Sequence, residues 1–252
     1  MFYQVPTQRG RRFIVTGSNS GTGRETARRL ALAGAEVILA ARREERLKAL
    51  AQRLCETGRR CSVLALDVCD PASVESAAAT LARVDVLINN AGVVIEGTAL
   101  DQDEASWDTV LDTNLKGMFL LARAVCRALR TRAAGGAIVN IASILGLRQA
   151  GGVLPYAVSK AGVIQLTKVL ALEVARYGIR VNALAPGYVD TDLNRGFWDS
   201  EAGKAMLRRI PQRRLSALTD LDGPLLLLAS EAGAYMTGSV LVVDGGHCVS
   251  TL

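Results

Sequence analysis

A single histidine, His247, stands near the end of a chain of 252 residues. That scarcity removes a histidine-based nucleophilic triad. Five cysteines (Cys55, Cys61, Cys69, Cys126, Cys248) include no CxxC pair, so a zinc site is not expected and the thiols read as reduced. Half of the residues are hydrophobic, yet no apolar run approaches the ~20 residues that cross a bilayer. The opening Met-Phe-Tyr-Gln-Val-Pro-Thr-Gln-Arg-Gly lacks the apolar core of a signal peptide, which predicts a cytoplasmic protein with no membrane partner. Repeats, low-complexity tracts and linkers are also missing. The length exceeds the ~150-residue prior for one domain, but α/β folds of this size form single units that bury roughly 75% of their unfolded surface. One domain, 1–252, is expected, with 1–11 as an N-terminal extension.

The formal charge is +6. Arginines are spread along the chain and no nucleic-acid motif accompanies them, so the charge fits an anionic cofactor or substrate and not a nucleic acid.

What the chain does contain is strand alternating with helix. Arg12 to Thr16 is a β-branched run that stops at Gly17-Ser18-Asn19-Ser20-Gly21-Thr22-Gly23, and a helical stretch follows to Ala33 before Gly34. Strand, glycine turn, helix leaves backbone N–H groups and the positive end of a helix dipole facing a pyrophosphate. The next strand, Glu36 to Ala40, ends at Ala41-Arg42-Arg43. An acid at that tip accepts from a ribose 2′-hydroxyl, whereas an arginine receives a 2′-phosphate, so Arg42 and Arg43 predict NADP(H) over NAD(H). The bland alternative is two surface arginines at a helix start, although cations oppose the dipole there.

Helix is expected over 44–57, strand over Cys61 to Asp67, helix over Ala72 to Leu81 capped by Asp70-Pro71, and a strand from Asp85 into Asn89-Asn90-Ala91-Gly92. Asp67, with Val68 after it, is placed to accept from an adenine amino group; Asn89, Ala91 and Gly92 form a small-residue turn where a cofactor passes closely. A long helix is expected over about 103–132. Asn114 lies inside it, either bonding locally and bending the helix or holding a water in a site.

The densest chemistry lies between residues 140 and 162. Ser143 follows the buried run Ala137 to Ile141, and Tyr156 and Lys160 are four apart in a helix expected to open at Pro155 and to run to Tyr177. An ammonium one turn from a phenol favours phenolate and lowers the tyrosine pKa from about 10. Tyr156 is then a proton donor and acceptor, and the Ser143 hydroxyl could hold a carbonyl oxygen beside it. A sixth strand (Ile179 to Leu184), then Pro186-Gly187-Tyr188-Val189-Asp190-Thr191, a helix over 220–230 and a strand over 240–243 complete the chain. Residues 188–212 read as a substrate lid whose apolar inner face includes Phe197, Trp198 and Met206. Leu145, Leu193, Phe197 and Trp198 flank the expected substrate position, with Arg148 and Arg195 as the few nearby charges. The fold class is α/β, a doubly wound, Rossmann-like parallel sheet of about seven strands.

Together, Thr16-Gly17-x-x-x-Gly21-x-Gly23, Asn89-Asn90-Ala91-Gly92, Asn114, Ser143, Tyr156-x-x-x-Lys160 and Pro186-Gly187 with Thr191 resemble the short-chain dehydrogenase/reductase family from about Arg12 to Gly246. The resemblance implies Tyr156 as general acid/base, Lys160 lowering its pKa and bonding the nicotinamide ribose, and Ser143 orienting the carbonyl. It also implies that Asn114 holds a water linking Lys160 to solvent and that Val189 and Thr191 fix the carboxamide. The chain looks most like 3-oxoacyl reductases and gluconate- or sugar-type dehydrogenases, and a dimer or tetramer is implied. Carrier-protein-dependent members present basic residues at positions that here resemble Ala134 and Tyr177, with Arg132 and Arg176 close by. The expected activity is NADPH-dependent reduction of a small-molecule ketone or aldehyde. The rivals are an alcohol or sugar dehydrogenase running oxidatively and a cofactor-sensing binding protein without turnover.

Overall fold

The computed structural model describes residues 7–190 and 198–250. Seven parallel strands form one sheet in the order β3-β2-β1-β4-β5-β6-β7. They are β1 (Arg12–Thr16), β2 (Glu36–Ala41), β3 (Cys61–Ala65), β4 (Val86–Asn89), β5 (Gly136–Ile141), β6 (Ile179–Pro186) and β7 (Val240–Val243). Residues of β1, β2, β4 and β5 are buried on both faces, which is why these segments read as continuous apolar runs and not as alternating ones. The order reverses at β1, which pairs with β2 on one side and β4 on the other (Ile14 beside Ile38 and Leu87). A ligand crevice forms at such a switch point, outside the carboxyl ends of the strands.

Alternate residues feed two cores. Phe13, Val15, Val37, Leu39, Val86 and Ile88 pack with Ala27 and Leu30 of α1 (Gly21–Leu32), Leu47 and Leu50 of α2 (Glu44–Glu56), and Leu225 and Leu228 near the C-terminus. Ile14, Ile38, Leu87, Ile138 and Val181 face the other way, onto Val74 of α3 (Pro71–Ser76), Leu81 of α4 (Ala78–Leu81) and Leu121, Val125 and Leu129 further along. Truncating one of these buried leucines, isoleucines or Phe13 to alanine typically costs about 2–5 kcal/mol.

Several elements differ from the sequence reading, each for a local reason. The helix expected over 72–81 is two short helices, because the Ser76 hydroxyl bonds back to the Ser73 carbonyl at 2.8 Å and competes with the ladder. The helix expected over 103–132 is α5 (Glu104–Leu111), a π turn over Asp112–Lys116 and α6 (Gly117–Thr131). The π turn accommodates Asn114, whose side chain is drawn inward. Gly117 follows it because a Cβ there would meet Val68 at 2.8 Å. The next helix, α7 (Leu154–Val174), opens one residue before Pro155; the second position has no intrahelical N–H bond to lose, so proline is tolerated there too. Asp67 lies two residues beyond the end of β3, in the loop at its carboxyl end. Within the expected lid, α8 (Glu201–Leu207) is present, and the last helix, α9 (Asp222–Ala229), is preceded by a 3-10 turn over Leu218–Leu221. The expected site residues Thr191, Leu193 and Phe197, with Arg195, lie outside the described residues.

Candidate active site

A groove of about 620 Å³ opens at the switch point, lined by Gly17, Asn19, Ser20, Gly21, Thr22, Gly23, Arg42, Arg43, Asp67, Val68, Ala91 and Gly92. Gly17 and Gly21 hold φ of +66° and +51°, the left-handed region that other residues enter only with strain. At Gly23 a Cβ would collide with the Gly17 carbonyl and the Asn90 amide. The glycine turn is fastened to the turn after β4: the Thr16 hydroxyl accepts from Asn90 N and Ala91 N at 2.9 Å each, and Asn90 Nδ2 donates to the Thr16 carbonyl at 2.9 Å. Ser20 caps α1 without a side-chain bond, and no acid occupies the first turn. The unpaired N–H groups and the positive end of the dipole therefore face the groove, which fits a pyrophosphate.

At the tip of β2 the two arginines part company. With the Asn19 amide oxygen turned towards it, Arg43 donates from Nη2 and Nε at 2.8 and 2.9 Å, a bidentate clasp across the groove. Arg42 is exposed, and its guanidinium makes no hydrogen bond among the described residues. Asp67 accepts from Cys69 N at 2.9 Å through one carboxylate oxygen, which leaves the other available to the groove. Thr113 and Cys69 also line this wall, their hydroxyl and thiol 3.3 Å apart; neither carried a sequence signal.

Ser18 and Asn89 stand apart from this wall. Ser18 is fully buried, and its backbone N–H and hydroxyl both turn to the Ala40 carbonyl. Asn89 is in register with Asn140 inside the sheet, donating to the Asn140 side chain at 3.2 Å and to the Met118 carbonyl at 2.9 Å. Asn90 is the member of the pair on the groove wall. The period of two could have separated them, since Asn89 continues the buried run of β4.

The groove shares Thr22, Asn90, Gly92 and Val93 with a second cleft of about 1030 Å³ that holds Ser143, Tyr156, Lys160, Pro186, Gly187, Val189, Leu145 and Trp198. Ser143 continues β5 and caps a 3-10 turn over Ile144–Gly146, accepting from Leu145 N at 3.1 Å. That turn lies directly on α7: a Cβ on Gly146 would meet the Lys160 backbone at 2.7 Å. Tyr156 and Lys160 sit one turn apart on α7, with the Ser143 hydroxyl near enough to the Tyr156 phenol to pull its pKa down. Lys160 Nζ lies 5.5 Å from the centre of the Tyr156 ring and donates to the Ile141 carbonyl at 2.7 Å.

The expected electrostatics are reversed in the protein alone. Burial pushes the Tyr156 phenol above its ordinary value, only partly offset by the neighbouring Ser143 hydroxyl. Lys160 is buried and burial pushes it down to about 8, while its ammonium sits on the Ile141 carbonyl beside the Tyr156 ring. A lysine depressed in the folded state binds fewer protons than the unfolded chain between pH 8 and its ordinary 10.5, so its contribution to stability rises with pH across that window. Urea unfolding at stepped pH is expected to show the rise in the difference between wild type and Lys160→Met, amounting to about 3 kcal/mol at most; a difference independent of pH would mean that the ammonium is not buried.

The Asn114 side chain ties two segments together. Its oxygen accepts from Val93 N at 2.8 Å, and its amide donates to the Val93 carbonyl at 2.9 Å and to the Ser159 hydroxyl at 3.0 Å, which in turn donates to the Tyr156 carbonyl at 2.7 Å. The side chain is a splint between the turn after β4 and the helix carrying Tyr156, with both amide N–H groups used.

Sequence reasoning gave no individual role to Thr16, Val93 or Tyr188. The Tyr188 ring lines the cleft and meets Trp198 edge-on at 5.2 Å. Arg132 is committed to Asp85 at 3.1 Å, and Arg176 lies over the Tyr177 ring at 4.9 Å, so both cations near the carrier-protein positions have partners. Among the described residues no group of three or more His, Cys, Asp or Glu could hold a metal, and no helix is long and apolar enough to cross a membrane.

A dinucleotide-sized groove at the switch point of a doubly wound sheet, running into a cleft with serine, tyrosine and lysine, defines a nucleotide-dependent oxidoreductase. A family profile described as enoyl-(acyl carrier protein) reductase matches residues 17–248. The chain belongs to the short-chain dehydrogenase/reductase family. It is 38% identical over 241 residues to the 3-oxoacyl-[acyl-carrier-protein] reductase FabG of Escherichia coli, covering 94% of this chain and 97% of that one. It is 36% identical over 242 residues to the 2-dehydro-3-deoxy-D-gluconate 5-dehydrogenase of Dickeya dadantii, covering 94% and 95%. Among solved structures, a gluconate 5-dehydrogenase from Burkholderia cenocepacia in complex with NADP and tartrate superposes with a TM-score of 0.92 at 36% identity, over 98% of this chain and 99% of that one.

Proposed function

We propose that the protein is an NADPH-preferring reductase that converts a ketone or aldehyde to an alcohol. The observation that carries this reading is the Ser143–Tyr156–Lys160 group at the point where the dinucleotide groove meets the second cleft. The glycine turn and the N-terminus of α1 would hold the pyrophosphate, Arg42 the 2′-phosphate, Asp67 the adenine amino group, and Lys160 with Val189 and Thr191 the nicotinamide end. When bound, the nicotinamide supplies the hydride. The Ser143 hydroxyl and the Tyr156 phenol grip the substrate oxygen, and the phenol releases its proton as charge develops there. A raised phenol pKa suits that task, because the group stays protonated until the oxygen becomes basic. Lys160 steadies the phenolate left behind, and Asn114 holds the Tyr156 turn in register through Ser159.

The rest of the cleft wall is largely apolar: Val93, Val94, Leu145, Val153, Trp198 and Met206 line it. Excluding water there strengthens the Tyr156 and Ser143 contacts. Steady-state consumption of NADPH with ketones and aldehydes of increasing chain length or ring size tests the reading, and turnover is expected to rise with apolar size. Preference for small polyhydroxylated sugars would reverse the assignment of the wall, and failure to consume NADPH with any carbonyl would remove the reductase reading itself.

A further inference from the structure

Among the described residues, the cleft that holds Ser143 and Tyr156 has two charged side chains in its wall, Lys160 and Glu96. Lys160 is buried, with its ammonium on the Ile141 carbonyl at 2.7 Å. Glu96 is exposed, and its carboxylate makes no hydrogen bond and no ion pair among the described residues. The other acids of the same loop are engaged: Asp101 accepts from the Thr98 hydroxyl at 2.5 Å, and Asp103 caps α5 by accepting from Ser106 N at 2.8 Å. The backbone beside Glu96 is fixed. Gly97 N donates to the Gly152 carbonyl at 3.0 Å, and Gly97 pairs with Val153, the residue that precedes the helix carrying Tyr156. Gly151 and Gly152, also in the wall, have open space where a Cβ would stand.

The rest of the wall suits a cation better than an anion. Tyr188 and Trp198 both line it, and an aromatic face attracts an ammonium through its quadrupole. No described residue of the wall offers a guanidinium: Arg148 follows the Ser143 turn without lining the cleft, and it donates to the His247 carbonyl. A carboxylate on open surface is ordinarily no more than solvated. This one stands on the wall of a concave, mostly apolar cleft, where the field is focused and a bound ligand displaces water. A neutral ketone leaves it unpaired, and an anionic one brings a like charge beside it.

We infer that the substrate is an amino ketone with an apolar body, whose ammonium is received by Glu96 while its carbonyl lies at Ser143 and Tyr156. The inference rests on the reductase reading and adds the substrate class. Glu96 is a specificity residue here: it selects by charge and takes no part in the proton transfer, and the ammonium keeps its protons throughout. Lys160 repels a cation at the carbonyl end, so the apolar body must hold the ammonium at a distance, which gives an optimum in chain length.

The test measures kcat/KM with NADPH for methyl ketones of stepped chain length that end in dimethylammonium, isopropyl or carboxylate, on wild type, Glu96→Gln and Glu96→Lys. The three ends are close in size and differ in charge. At the best length the ammonium ketone is expected to exceed the isopropyl ketone by on the order of tenfold, between an exposed ion pair and a charge-assisted hydrogen bond, and the carboxylate ketone by more. Both ratios should fall towards unity in Glu96→Gln, and Glu96→Lys should favour the carboxylate ketone. A merely structural role for Glu96 would lower all three substrates alike and leave the ratios fixed. An isopropyl or carboxylate ketone reduced as well as the ammonium ketone by the wild type, or ratios unchanged in Glu96→Gln, would overturn the inference while leaving the reductase reading in place. If no carbonyl is reduced, that reading fails, and calorimetric binding of hexylammonium against hexanol to the NADP⁺-saturated protein decides the inference separately. A preference for hexylammonium that Glu96→Gln abolishes would support it; equal affinity, or a preference that survives the substitution, would overturn it.

Discussion

Tyr156→Phe is expected to slow single-turnover carbonyl reduction by roughly 10²- to 10⁴-fold, the usual contribution of general acid catalysis, while NADPH affinity stays nearly unchanged. The phenol proton is needed only as the substrate oxygen gains charge, so its loss belongs to the transition state. The partner variant behaves differently. Lys160 is buried with its ammonium on the Ile141 carbonyl, and in the proposed function it serves both the phenol and the nicotinamide ribose. Lys160→Ala should therefore lower the rate and also weaken NADPH binding, by about tenfold for a lost charge-assisted bond. Fluorescence titration with NADPH and rapid mixing on both variants separate the two effects. Near-normal reduction by Tyr156→Phe would place the proton donor elsewhere.

The second large effect concerns the cofactor. Arg42 is the unengaged cation at the tip of β2, whereas Arg43 is clasped to Asn19 across the groove. Arg42→Ala should lose on the order of 10- to 100-fold in NADPH affinity with little change for NADH, because only the former carries the 2′-phosphate. Arg43→Ala should weaken both cofactors together, because it loosens the glycine turn that both need. Equilibrium titration of each variant with each cofactor gives the comparison. A wild-type protein that uses NADH as well as NADPH would contradict the assignment of Arg42.

The glycine turn, the β2 tip and the Ser143, Tyr156 and Lys160 spacing were legible in the sequence because each is local: a turn, a strand end, one helical turn. The doubly wound order was legible for a similar reason, since buried parallel strands leave unbroken apolar runs between amphipathic helices. What escaped depended on contacts between distant segments. Asn89 and Asn90 are neighbours in sequence, but the pairing of β4 with β5 places one inside the sheet and the other on the groove wall. Asn114 could be read as a local bend or as a water site. Its side chain also clamps Val93 to Ser159, a pairing that no local pattern encodes. The sign of the Tyr156 shift escaped as well. Spacing supplies the neighbouring ammonium, while the burial that raises the phenol comes from the packing of α7 and the Ser143 turn.

The central claim is that this cleft transfers hydride from a reduced nicotinamide to a carbonyl carbon. NADPH carrying deuterium on the transferred face of C4 tests it most directly, with mass analysis of the alcohol formed from a ketone accepted by the enzyme. One deuterium on the carbinol carbon for each NADPH oxidised is the expected result, with the yield collapsing in Tyr156→Phe. NADPH oxidised with no deuterium in the alcohol, or no alcohol formed, would contradict it.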